Sequence, residues 1–350
     1  MSSSNTPRKF VRLRSRPTAA DKNRLMWREI TEWLASSVLF LAASSSILIT
    51  VAIVAVLVLE SRPFFEKTSL IEFLTSTEWS PETEEDEDNA AEDEEMTAEE
   101  RAEKAAAIAA RPKPKYGILP FVSATITTTV IALIVAIPIG TVVALYLSEF
   151  APFYLREILK PSLELLSAVP TVVYGYFAIQ VVSPVIGWLF QLVSSQNLSQ
   201  QNMLSAGIVM GIMIIPYVSS LSEDALRSVP MLLREGSYAL GANKILTAWR
   251  VVVPSATSGV AAAYILGISR AIGETMIMAV AAGKNPKFTV NPLETAQTIT
   301  SFIVETATGE PPAGSVRFQA MFAAGCVLFC MTLVFNVLGY WLRRRFHQSY

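Results

Sequence analysis

The chain has 350 residues, 52% of them hydrophobic and only 17% charged, with a mean hydropathy of +0.42. A soluble domain of this size carries nearer a quarter charged residues, so a soluble enzyme is excluded. The net charge of -2 hides a split: thirteen of the 30 acids crowd into Glu82–Glu103, leaving 17 acids against 27 basic residues elsewhere. Two cysteines, Cys326 and Cys330, sit inside an apolar stretch, and the single histidine is His347 in the tail. That leaves no disulfide framework, no Cys/His metal site and no histidine-based catalysis.

Residues 1–33 form a basic, Ser-rich tail with no apolar core, read as a disordered cytoplasmic arm near anionic lipid rather than a cleavable signal. A membrane helix needs about 20 apolar residues. Six runs qualify: Leu34–Leu59, Phe121–Leu147, Leu163–Phe190, Met203–Ser220, Gly259–Ala282 and Gln319–Leu342. Short-loop Lys and Arg set the orientation. The tail, Arg156 and Lys160 after span two, Arg227, Arg234, Lys244 and Arg250 after span four, and Arg343–Arg345 after span six all fall on one side. Both termini are therefore expected in the cytoplasm, and the 60–118 loop with its acidic insert outside. The insert has the composition of a solvated segment and lacks the spacing of a calcium loop. The fold class is all-α: a polytopic membrane protein of six transmembrane helices, with a permease core over 119–345.

No G-x-x-x-x-G-K-[ST] motif occurs, since Gly283-Lys284 lacks both flanking elements, so the chain does not hydrolyse ATP by that route. The long loop 221–258 between spans four and five is patterned: Glu235-Gly236-Ser237, then Gly241, then Val251-x-Val253-Pro254. A short helix bearing Glu235 is expected to end at Gly241, which tolerates positive φ, before a second amphipathic segment leads to Pro254 and span five. Span five carries Arg270 and Glu274, followed by Thr275. Charges inside an apolar span default to a functional reading, and at i, i+4 on one helix they share a face and can pair, or point together at a water-filled pathway. Thr125 and Thr129 also share a face in span two, where such hydroxyls mostly bond back to their own helix. Gly207-x3-Gly211 in span four is a close-packing signal.

The 235–254 pattern resembles the cytoplasmic coupling motif of binding-protein-dependent ABC importer permeases, with Gly-Ser for Ala-Ala and Val for Ile and Leu. Arg270-Ala-Ile-Gly-Glu274-Thr275-Met276 resembles a segment of the PstC-type permeases of phosphate importers, and Met276-Ile277 favours that C-type chain over its sister. Glu78-Trp79-Ser80-Pro81, Tyr116-Gly117-Ile118-Leu119-Pro120 and Ala168–Gly175 are similar to the same family, which thus covers about residues 34–345. The resemblance implies a type I ABC importer permease in a bacterial inner membrane, working with a sister permease, an ATPase dimer and an extracytoplasmic phosphate-binding protein. It implies no cofactor on this chain, ATP being used by the partner ATPase, and no nucleic acid. It puts Arg270, Glu274 and Thr275 on the substrate path, and Glu235, Gly236, Ser237, Gly241, Val251, Val253 and Pro254 in ATPase coupling. A sulfate or molybdate permease, a secondary transporter using Arg270 and Glu274 as a proton-coupled pair, and a membrane anchor or sensor built around the acidic insert are the alternatives.

Overall fold

Inside hydrocarbon the backbone has no water to bond, so each apolar run closes its hydrogen bonds within a helix. A computed structural model describes residues 19–81, 114–192, 198–312 and 314–345. The acidic insert, the start of the basic tail and residues 346–350 lie outside the described residues. The chain divides into two units, residues 1–56 and 57–350. The first unit holds the start of α1 (Ala19–Lys67), which begins well before the apolar run, so the second half of the expected tail is helical. Its apolar side chains, among them Phe40, Leu41 and Leu48, are exposed, as lipid-facing side chains are.

The second unit continues from the end of α1 into α2 (Leu70–Thr75) and a two-stranded antiparallel ribbon, β1 (Trp79–Ser80) with β2 (Lys115–Tyr116). That ribbon is a small addition to an otherwise helical fold, and it reunites the two sequence elements that the insert separates. Trp79 faces Tyr116 across it, and both join a cluster with Phe64, Phe73, Phe121 and Phe302.

Span two is α3 (Leu119–Leu145), continued by a π-helical turn at Tyr146–Phe150. After it comes α4 (Phe153–Ser167), then α5 (Thr171–Phe177), a π turn at Ala178–Val182, and α6 (Ser183–Gln191). The expected third span therefore starts late, at Thr171 rather than Leu163. Pro170 disfavours helix in the residue before it and heads the new helix, so Leu163–Ser167 belongs to the amphipathic α4. Span four is α7 (Met203–Arg227), whose first turn is capped by Asn202 Oδ1 accepting the Ser205 amide at 2.8 Å.

The cytoplasmic loop holds α8 (Met231–Ala239), α9 (Lys244–Thr247), a π turn at Ala248–Val252 and α10 (Val253–Ser255). Then come α11 (Thr257–Ile272), α12 (Met276–Ala281), α13 (Ile299–Thr308) and α14 (Val316–Arg345). Among the described residues five helices are long and apolar enough to cross a membrane, and the pair Lys244–Ser255 with Thr257–Ile272, bent by 71°, brings the number to six where it is counted as one broken span.

The core sits between α3, α5, α7 and α12, built on Ala132, Ala136, Val209, Met210, Met213 and Ile277. Small residues bring α3 and α7 together. A Cβ on Gly211 would lie 2.8 Å from the Ala132 carbonyl, and one on Gly207 2.7 Å from Ile131, as the spacing of the two glycines implied.

Candidate translocation site and coupling loop

Span five is not one helix. α11 ends at Ile272, Gly273 closes it, and α12 restarts at Met276. This corrects the expectation of a continuous Gly259–Ala282 helix with Arg270 and Glu274 on one face. Glu274 is buried, and its Oε1 accepts the backbone amides of Met276 at 3.2 Å and Ile277 at 3.4 Å. The carboxylate thus caps the restarted helix, a use that offsets its cost in an apolar setting. No ion pair joins it to Arg270. The break is tied down from outside: the Thr300 hydroxyl donates to the Glu274 carbonyl at 2.8 Å, and the Ile299 amide donates to Thr125 Oγ1 at 3.1 Å. Half-buried Thr275 donates its hydroxyl to the Gly273 carbonyl at 3.2 Å.

Arg270 points the other way. Its side chain is exposed and its guanidinium carbon stands 5.5 Å from the centre of the Tyr217 ring of α7. Among the described residues no carboxylate lies within ion-pair distance of it. It lies about 20 Å along the helix axis from Thr257, at the far end of α11 from the patterned loop. Span two contributes Thr125, which donates to the Phe121 carbonyl at 2.8 Å, and Thr128, which donates to the Ala124 carbonyl at 2.8 Å. Back-bonding thus accounts for both. The buried Thr129 hydroxyl has no partner among the described residues.

The patterned loop between spans four and five folds as a helix-turn-helix. α8 carries Glu235, Gly236 and Ser237, and Gly241 takes φ +84°, the left-handed value its position demands. Asn243 then caps α9 by accepting the Leu246 amide at 2.8 Å. Ser237 and Thr247 hydroxyls meet at 2.9 Å, closing the two arms on each other. Val252 is buried against Ala144, Leu226 and Ala248, with Val253 beside them. Val251 is half-buried and Pro254 exposed at the start of the 71° bend. Glu235 and Gly236 are exposed, among the outward-facing Met231, Leu232, Leu240, Ile245 and Trp249. That is a large apolar surface on the aqueous side of the membrane.

Beneath this surface the Arg and Lys residues that mark orientation in the sequence meet two carboxylates, Glu149 and Glu223, that the sequence does not single out. Arg234 is buried on α8, with Nη2 2.9 Å from Glu149 Oε1 of the π turn after α3. It also donates to the carbonyls of Leu226 and Val229 at the end of α7. Glu223 of α7, fully buried, sits 2.8 Å from Arg156 and 3.3 Å from Lys160, both on α4, and 3.7 Å from Arg227 one turn on.

These features match a known group of proteins. The family model described as binding-protein-dependent transport system inner membrane component matches residues 136–348. The probable ABC transporter permease protein YqgH of Bacillus subtilis is 34% identical over 277 residues, covering 79% of each chain. The phosphate transport system permease protein PstC of Xylella fastidiosa is 34% identical over 243 residues, 64% of this chain and 73% of the relative. Among solved structures, inward-facing MetNI, a methionine ABC transporter, aligns over 66% of this chain and 95% of that chain, with a TM-score of 0.50 at 15% identity. The chain belongs to the family of binding-protein-dependent transport system inner membrane components, and its fold is that of a multi-pass ABC importer permease.

Proposed function

We propose that this chain is the membrane-spanning permease of an ATP-driven importer of inorganic phosphate. The observation that carries the reading is Arg270: an exposed guanidinium at membrane depth, stacked on Tyr217 and without a carboxylate partner among the described residues. Lipid is no stable neighbour for such a group, so its exposed face lies against a water-filled path or a second protein. A guanidinium fork matches the oxygens of a tetrahedral oxyanion, and Arg, unlike Lys, keeps that geometry while stacked. The relatives named as phosphate permeases supply the choice of anion. Glu274 and Thr275 contribute by holding the break that ends α11 just beyond Arg270.

In this reading the path runs along the face bearing Arg270, between this chain and a sister permease. A partner ATPase dimer docks on Glu235, Gly236 and the exposed apolar side chains around them. Gly241 sets the turn, Ser237 closes the two arms on each other through Thr247, and Val251, Val253 and Pro254 lead the loop into span five. ATP is used by that ATPase, no cofactor is held here, and an extracytoplasmic binding protein delivers phosphate. The test is labelled-phosphate uptake in cells lacking their own importers, with this chain and its partners co-expressed and with unlabelled sulfate and molybdate as competitors. ATP-dependent uptake blocked by phosphate alone is expected. Block by sulfate or molybdate overturns the anion, and uptake without the ATPase overturns the coupling. Arg270→Gln is expected to cut uptake by about a hundredfold with the complex still assembled. Normal uptake by that variant removes Arg270 from the path.

A further inference from the structure

Between the end of α7 and Ser258, Arg234 is the one charged residue that is buried among the described residues, and its side chain ties α8 to two other elements. Its own backbone is in α8, the helix that carries Glu235. Its guanidinium takes Glu149 with both Nε, at 3.4 Å, and Nη2, at 2.9 Å, a two-point contact to the π turn that ends span two. Nη1 and Nη2 also donate to the Val229 and Leu226 carbonyls, two of the groups that the end of span four leaves without helical partners. Glu149 is as enclosed as Arg234: the two side chains keep only 6% and 10% of their surface.

We infer that Arg234 is the positioning residue that converts displacement of the loop into movement of spans two and four, with Glu149 as its anchor. The inference rests on the reading of 235–254 as the coupling loop. The physical argument is one of directionality. Apolar contacts under the loop, such as Val252 on Leu226, slide at little cost, because dispersion has no preferred direction. A forked, enclosed ion pair with two further carbonyl bonds does not slide, since lateral movement leaves buried charge unpaired. Spans two and four are the two helices brought closest by Gly207 and Gly211, so a pull on both ends moves the core pair as a unit. Glu235, one residue on, is exposed and free for a partner while Arg234 holds the inside. Adjacent residues on α8 thus face the two sides between which force must pass.

The test uses the full complex reconstituted in vesicles and reads anion uptake per ATP hydrolysed, together with recovery of assembled complex. Arg234→Met, which removes both arms, is expected to lower uptake per ATP by about fivefold or more, the range of a typical coupling energy. Arg234→Lys keeps charge without the fork, and Glu149→Gln keeps an acceptor without charge, so each should give about a twofold to threefold loss. A ratio unchanged in Glu149→Gln and Arg234→Lys complexes that assemble overturns the inference, whether their uptake is normal or falls in step with ATPase. Should Arg234→Met fail to assemble, those two milder variants decide. Uptake is read with phosphate, sulfate and molybdate in parallel, so a wrong anion shows in the wild type and leaves the ratio readable. Wild-type uptake that needs no ATPase removes the coupling-loop reading itself.

Discussion

At the extracytoplasmic end, aromatic rings meet edge to face: Trp79 stands 4.9 Å from Phe121 and 5.0 Å from Phe302, and Phe64 stands 5.2 Å from Phe73. At the cytoplasmic end the corresponding place is taken by Glu149 with Arg234, and by Glu223 with Arg156, Lys160 and Arg227. Each end closes helices that loops would otherwise leave splayed. Ring clusters gain mainly from burial and resist being opened, and their edge-to-face preference is worth only about 0.5–1.5 kcal/mol beyond that burial. Charge pairs are worth less as glue, because desolvation consumes most of their attraction, yet they fix which groups face each other. The outer end is thus built as a floor, and the inner end as a joint.

The sharpest way to break that contrast is at the floor. Phe302 is buried under Trp79 and Phe121, and Phe302→Ala should cost about 3–5 kcal/mol, the usual range for a ring deleted from a packed site. Thermal unfolding of the detergent-solubilised complex reads the loss, and uptake per ATP in the folded fraction should hold. A coupling defect at equal folding would mean that the outer end transmits motion as well.

The next test is at the joint. Glu223→Gln leaves Arg156 and Lys160 facing a neutral amide, but both cations keep about a quarter of their surface. The loss is therefore put at about 2 kcal/mol, below that of a fully enclosed pair. The pair replacement Glu223→Met with Arg156→Met should recover most of the thermal stability, since apolar groups of similar size fill the site without desolvation. Transport should stay impaired. If transport recovers along with stability, the inner charges are ordinary glue and the contrast fails.

These ends also mark where sequence and structure part. The spans were legible because hydrocarbon demands long apolar runs, and the helix-turn-helix of the 235–254 loop because Gly241 and Pro254 carry backbone requirements that spacing exposes. Gly241 takes the positive φ its place implied. The break at Gly273 was not legible, because Met276-Ile277-Met278 restores the apolar run at once and hides a stop of three residues. The i, i+4 spacing suggests Arg270 as one partner for Glu274, but with the helix broken between them the carboxylate accepts the amides two and three residues ahead. Arg234 and Glu149 lie 85 positions apart and Glu223 and Arg156 lie 67 apart, so nothing local pairs them. The arginines and the lysine count toward orientation, and only the packing of α4, α7 and α8 brings Glu149 and Glu223 to them as a network.

The smallest effect lies in the extracytoplasmic loop before α13. There Lys287 donates to Glu294 at 2.8 Å, and that bond, with help from Thr289 and Asn291, holds the Glu294 carboxyl below the usual carboxylate range. A depressed folded pKa means stability that is present above the ordinary value and is lost as pH falls through the folded one. The window therefore lies below pH 4.5, the ordinary value, and the group's exposure keeps the effect slight. Its report is local, because the Met203 amide bonds to the Glu294 carbonyl at 3.1 Å and the Leu204 amide to the Pro292 carbonyl at 2.8 Å. Exchange of those two amides should stay slow in mild acid and quicken only when Glu294 takes its proton. In Lys287→Met the quickening should begin at higher pH, since the main cause of the depression is gone. Identical profiles in the two proteins would show that α7 holds this loop without the ion pair. The outer end would then be set by packing alone, a purer floor than the hydrogen bonds imply.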